Sequence, residues 1–128
     1  MKVLVDTHVF LWAILEPAKL SRAAKRILED PETVVRVSSA SAWEIAIKVR
    51  SGQLPGARAV VASYAKHVAR LAADELPMNS EHALLAGSFR SLHRDPFDRM
   101  LAAQAHTENL RLMTSDSVFT EFPVDVIW

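Results

Sequence analysis

The chain has no cysteine among its 128 residues, which excludes disulfide bridges and every metal site built on thiolates. Glycine occurs only three times, too rarely for a Gly-rich loop that cradles phosphates with backbone N–H groups. With proline also modest, long disordered tracts are not expected. No apolar run approaches the ~20 residues that a membrane-spanning helix needs. The N-terminus lacks the apolar region of about 7–15 residues and the small-residue cleavage site of a signal peptide. These absences together fit a cytoplasmic protein. An excess of either charge is missing too: 15 basic residues balance 15 acidic ones, without the basic bias common in nucleic-acid-binding domains. What remains is a half-hydrophobic chain near the commonest domain size, expected to form one domain over residues 1–128 with a sizeable core.

Apolar runs suited to buried strands alternate with helical patterns. Strands are expected at 2–5, 34–37, 75–78, 110–113 and 124–127, where β-branched or apolar residues cluster between turn signals. Helices are expected at 8–16, stopped before Pro17, and at 21–29, capped by Ser21. A further helix runs from the serines at 38–41 to about Arg50 and is closed by Gly52. Others are expected at 57–72, with Val60, Tyr64, Val68 and Leu71 on one face, at 80–91 and at 96–106. A short helical turn follows at 115–119. This alternation predicts an α/β fold: a three-layer α/β/α sandwich around a mainly parallel sheet of four to five strands.

Four carboxylates fall where strands give way to helices. Asp6 follows Val3-Leu4-Val5, Glu44 lies just past the second strand, Asp98 opens the helix after His93-Arg94-Asp95-Pro96, and Asp116 follows Leu112-Met113-Thr114-Ser115. Ligands of open parallel sheets bind outside the carboxyl ends of the strands. Acids converging there suggest a hard divalent cation held by oxygen, and hence phosphodiester chemistry. With those four committed to metal, 11 acidic residues remain against 15 basic ones. Lys48, Arg90, Arg94 and Arg99 are the candidate contacts to substrate phosphate.

Each acid also has a purely structural explanation. Asp6 suits a helix N-cap. Glu44 stands four residues before Lys48, the favourable order for a helical ion pair, in a stretch apolar on most sides and so expected to be buried. Asp95-Pro96 reads as an N-cap followed by Pro at the first helical position, and Asp98 then takes the capping-box position. Asp116 could cap the turn at Ser117. Of the histidines, only His93 lies near these acids. Trp12, Trp43 and Trp128 read as core or interface rather than as a platform for bases. Thr7, Thr114 and Ser115 are candidates to support the acids by hydrogen bonds.

Four blocks of the chain resemble the PIN-domain family, specifically VapC-type toxins of bacterial toxin–antitoxin modules. They are Leu4-Val5-Asp6-Thr7-His8, Ser41 to Lys48 around Trp43-Glu44, His93 to Leu101 around Asp95-Pro96-Phe97-Asp98-Arg99, and Leu112 to Asp116. The resemblance implies that Asp6, Glu44, Asp98 and Asp116 are the catalytic, metal-holding acids, with Asp95 as an auxiliary. It also implies a Mg²⁺- or Mn²⁺-dependent endoribonuclease, an RNA substrate, a VapB-type antitoxin and a homodimer. The apolar segment Val9 to Leu15 offers more surface than one core helix needs, and the remainder could face such a partner. Two other readings remain open at this level. One is a phosphohydrolase using Asp6 as nucleophile, although a dehalogenase-like enzyme would want Asp where His8 stands. The other is a binding module whose acids only cap helices.

Overall fold

The computed structural model describes residues 1–128. Five strands, β1 Lys2–Val5, β2 Val34–Ser38, β3 Ala73–Leu76, β4 Arg111–Met113 and β5 Val126–Ile127, form one sheet. Their order is β3-β2-β1-β4-β5, and every neighbouring pair is parallel. Seven helices accompany them: α1 Thr7–Leu15, α2 Arg22–Glu29, α3 Ser39–Arg50, α4 Arg58–Ala62, α5 Tyr64–Arg70, α6 Ser80–Ser88 and α7 Pro96–Thr107. The expected α/β/α layering is present, and the sheet is wholly parallel.

The layering follows from the strand period. Val3 and Val5 point to one face and pack with Val9, Phe10, Val35, Val37, Ile45 and Met113. Leu4 points to the other face, where Leu101, Ala102, Leu112 and Phe119 meet it. Because alternate side chains of a strand leave opposite faces, β1 is buried on both sides, as central parallel strands are. No helix is long and apolar enough to cross a membrane.

Local chemistry sets several boundaries. Ser21 Oγ accepts from the Ala24 N–H to start α2, and Gly52, at φ +80°, follows α3 in the left-handed region that glycine tolerates best. The start of α6 is a capping box in which Asn79 and His82 exchange hydrogen bonds. The helix expected over 57–72 is divided at Ser63, whose backbone leaves the helical region. Serine competes for backbone hydrogen bonds and favours helix ends. Beyond the break Tyr64 packs on Phe10, their ring centroids 5.6 Å apart. Val60 and Val68 stay buried on the expected face. In α1, Val9, Phe10 and Leu11 are core, whereas Leu15 is exposed and Trp12 packs on Trp128 at 5.9 Å.

Candidate active site

Parallel strand order fixes where the acids meet. β1 is flanked by β2 and β4, so the residues following these three strands share one edge. Asp6 leaves β1 there, α3 leaves β2 there, and Thr114 leaves β4 there. Asp6 occupies the N-cap of α1, but its side chain makes no capping bond. Its Oδ2 instead accepts from Thr114 Oγ1 at 2.7 Å. The Asp116 N–H donates to the same Thr114 oxygen at 3.0 Å. One threonine thereby links the ends of β1 and β4.

Glu44 is buried on α3, and Lys48 Nζ donates to its Oε2 at 2.5 Å. The same helix is less enclosed than its composition suggests. Ser41, Glu44 and Ile45 face inward, while Trp43, Ala46 and Ile47 are exposed. Thr7 Oγ1 lies 2.9 Å from Ser41 Oγ and so joins α1 to α3.

Asp95 and Asp98 divide their roles. Asp95 Oδ1 accepts from the N–H groups of Phe97 at 2.8 Å and Asp98 at 3.2 Å, the N-cap of α7. Asp98 does not complete a capping box; its Oδ2 meets His93 Nε2 at 2.8 Å. A histidine five residues ahead of an acid carries no sequence signal for this contact, because an irregular loop brings it there.

The charges reveal who faces whom. Burial raises the Asp6 carboxyl above its ordinary value and Glu44 adds to this; Thr114, His8 and the Thr7 N–H oppose it without prevailing. Burial also pushes Asp98 up to about 6, with Asp95, Asp6 and Glu44 adding to the rise against the bond from His93. Burial lowers Lys48, but its bond to Glu44 and the charges of Glu44, Asp95 and Asp98 outweigh that and hold the ammonium form. Asp6, Glu44 and Asp98 therefore form one repelling cluster, with Asp95 at its margin. Asp116 is exposed and caps the following turn through the Val118 N–H; only Thr114 ties it to Asp6.

No three of these side chains close into a ready metal cage. Each acid is held by a displaceable partner: Thr114, Lys48 or His93. The donor set nevertheless suits Mg²⁺, a hard ion that binds through few carboxylates and retains water. The raised Asp6 and Asp98 carboxyls are the uncompensated charge that a cation would relieve.

Of the basic residues, Arg90 and Arg94 are exposed and enter no ion pair. Arg99, expected at phosphate, is turned inward. Its Nε donates to Ala86 O at 2.8 Å, Nη1 to Ser91 O at 3.0 Å and His93 O at 2.9 Å, and Nη2 to Phe89 O at 2.6 Å. A guanidinium so occupied fastens the loop between α6 and α7.

The Asp98 shift has a measurable consequence. Its proton is held more tightly in the folded chain than at the ordinary 3.8 of the free side chain, so folding is favoured most below about pH 4. That advantage is lost as pH rises to about 6, on the order of 2–3 kcal/mol. Asp98→Asn should therefore melt several degrees higher than the parent above pH 6 without added metal, with the difference closing below pH 4. Thermal melts across that range check this; a constant difference would assign it to something other than the charge.

An all-parallel sandwich with carboxylates gathered at the carboxyl edge of its central strands defines a class of α/β domains. The PIN-domain family model matches residues 3–124, and the chain belongs to that family. Solved structures share the fold at low identity. VapBC2 from Rickettsia felis, bound to a DNA fragment from their promoter, has a TM-score of 0.72 at 16% identity over 99% of this chain and 98% of that one. A toxin–antitoxin complex from Klebsiella pneumoniae gives 0.59 at 18% identity over 98% and 96%. FitAcB from Neisseria gonorrhoeae gives 0.56 at 20% identity over 100% and 97%. No functionally curated protein matches the chain.

Proposed function

We propose that this protein is a metal-dependent endoribonuclease acting as the toxin of a toxin–antitoxin module. The observation that carries the reading is the placing of Asp6 and Glu44, both buried, and the partly buried Asp98 together at the carboxyl edge of the sheet. A fold does not need buried carboxylates set against one another, and a cation-dependent site does. The capping-module reading accounts for Asp95 and Asp116, which do cap. Asp6, Glu44 and Asp98 cap nothing; each turns instead to a side chain, Thr114, Lys48 or His93.

Asp6, Glu44 and Asp98 would hold Mg²⁺ or Mn²⁺ directly or through water, and Asp116 would support them from the β4 end. When bound, the ion supplies charge neutralisation at phosphate and acidifies water for attack. The chain's own groups do the rest. Thr114 fixes the rotamer of Asp6 by its 2.7 Å bond. His93 orients Asp98. Lys48, bonded to Glu44 here, would be the ammonium nearest to substrate phosphate if Glu44 held the ion. Arg90 and Arg94 supply further positive charge along the approach.

The neighbours in fold are toxin–antitoxin assemblies, which supports a VapB-type antitoxin as partner. The exposed Leu15 end of α1 supports a partner surface or a homodimer. The test is cleavage of single-stranded RNA. Mg²⁺ or Mn²⁺ should activate it, EDTA should abolish it, and either ion should raise the melting temperature by binding only the folded chain. Undiminished cleavage after thorough chelation rejects the metal mechanism.

A further inference from the structure

The acids have aromatic neighbours that the cleavage chemistry leaves unused. Trp43 directly precedes Glu44, and Phe97 directly precedes Asp98. Their rings meet edge to face, centroids 5.0 Å apart and planes at 79°. Such pairing steadies an indole, yet Trp43 remains 55% exposed. It stands on the wall of a cavity of about 260 Å³ that Phe97, Met78, Gly87 and Arg94 also line. The cavity has room to spare at its α6 side: a Cβ built at Gly87 would meet nothing within 4 Å. Arg94 is exposed and enters no ion pair.

The geometry points to this cavity as a nucleobase subsite, in which an unpaired base of the RNA strand stacks on Trp43 while Arg94 meets an adjoining phosphate. The inference rests on the nuclease reading and adds where the strand lies. A flat apolar ring beside an unpaired cation matches what a single strand presents, a π-face next to a negative charge. A second copy of the chain matches it less well. A two-fold contact sets the same patch against itself, bringing acidic cluster toward acidic cluster and Arg94 toward Arg94. Stacking tolerates any base, so the subsite gives the enzyme a preference for single-stranded over paired RNA rather than for a sequence.

The test uses the full chain carrying Asp6→Asn, which should bind RNA without cutting it, and a single-stranded oligoribonucleotide of about ten nucleotides. Trp43→Leu keeps the position apolar but removes the ring, and should raise Kd about tenfold; Trp43→Phe keeps a ring and should change it by less than about threefold. Gly87→Leu fills the cavity from a helix that tolerates leucine well, and should weaken binding as Trp43→Leu does, which keeps the test sound if Trp43→Leu folds poorly. RNA should also quench tryptophan emission more in the chain with Trp43 than in Trp43→Phe, where Trp12 and Trp128 remain. RNA binding by the Trp43→Leu and Gly87→Leu chains as tight as that of the Asp6→Asn chain alone overturns the subsite and leaves the nuclease reading standing. Absence of RNA binding together with absence of cleavage by the parent overturns both. Unchanged RNA affinity with a changed oligomeric state gives the face to a second copy and also overturns the subsite.

Discussion

Asp6→Asn and Asp98→Asn should each slow RNA cleavage by a factor of about a hundred or more while leaving the fold intact. A cation at phosphate contributes several kcal/mol to the transition state, and each ~1.4 kcal/mol is tenfold in rate. Asparagine preserves shape but removes the charge that would hold the ion. Folding should not suffer, because both carboxyls are raised by burial and by neighbouring acids; neutralising either removes repulsion. Asp95→Asn should cost far less, since Asp95 serves the α7 N-cap and asparagine caps about as well. Single-turnover cleavage with saturating Mg²⁺, alongside melting curves, separates lost chemistry from lost structure. Near-normal cleavage by Asp98→Asn with an inactive Asp95→Asn would exchange the two assignments.

Arg99→Ala should destabilise the chain by about 3 kcal/mol. Four backbone carbonyls, those of Ala86, Phe89, Ser91 and His93, lose a charged donor at once. Each such bond is worth roughly 1.5–3 kcal/mol, and water recovers part of the loss because the loop is only partly buried. Arg99→Lys should rescue little, because one ammonium cannot reproduce the planar fork. Cleavage should fall as well, since the freed loop carries His93, which orients Asp98. The decisive comparison is chemical denaturation together with activity at a temperature where both proteins are folded. A loss below about 1 kcal/mol would mean that water replaces the guanidinium without penalty.

These expectations differ in how far the chain alone supports them. Strand-to-helix punctuation placed Asp6, Glu44, Asp98 and Asp116 in order, because strand ends and caps are local and written in neighbouring residues. The Glu44–Lys48 pair is local too, four residues apart on one helix, and it forms. For Arg99, proximity in sequence and the packed structure point different ways. Lying beside Asp98 suggested phosphate, whereas the loop before α7 folds back around the guanidinium. Trp43 reads as core or interface, and the structure leaves it out of the core at 55% exposed, because which face of a helix is covered depends on what packs against it.

By itself the sequence determined the α/β alternation, the parallel sheet and the position of each acid relative to the strand ends, since period, capping and punctuation act over a few residues. The tertiary structure alone decided which acids meet. The strand order β3-β2-β1-β4-β5 sets Asp6 between Glu44 and Thr114, 108 residues from its hydrogen-bond donor. That separation cannot be read from local pattern. It also decided that Asp98 turns to His93, that Asp116 stays at the rim, and that Arg99 binds its own backbone, because burial and long-range hydrogen bonds exist only once the layers have packed.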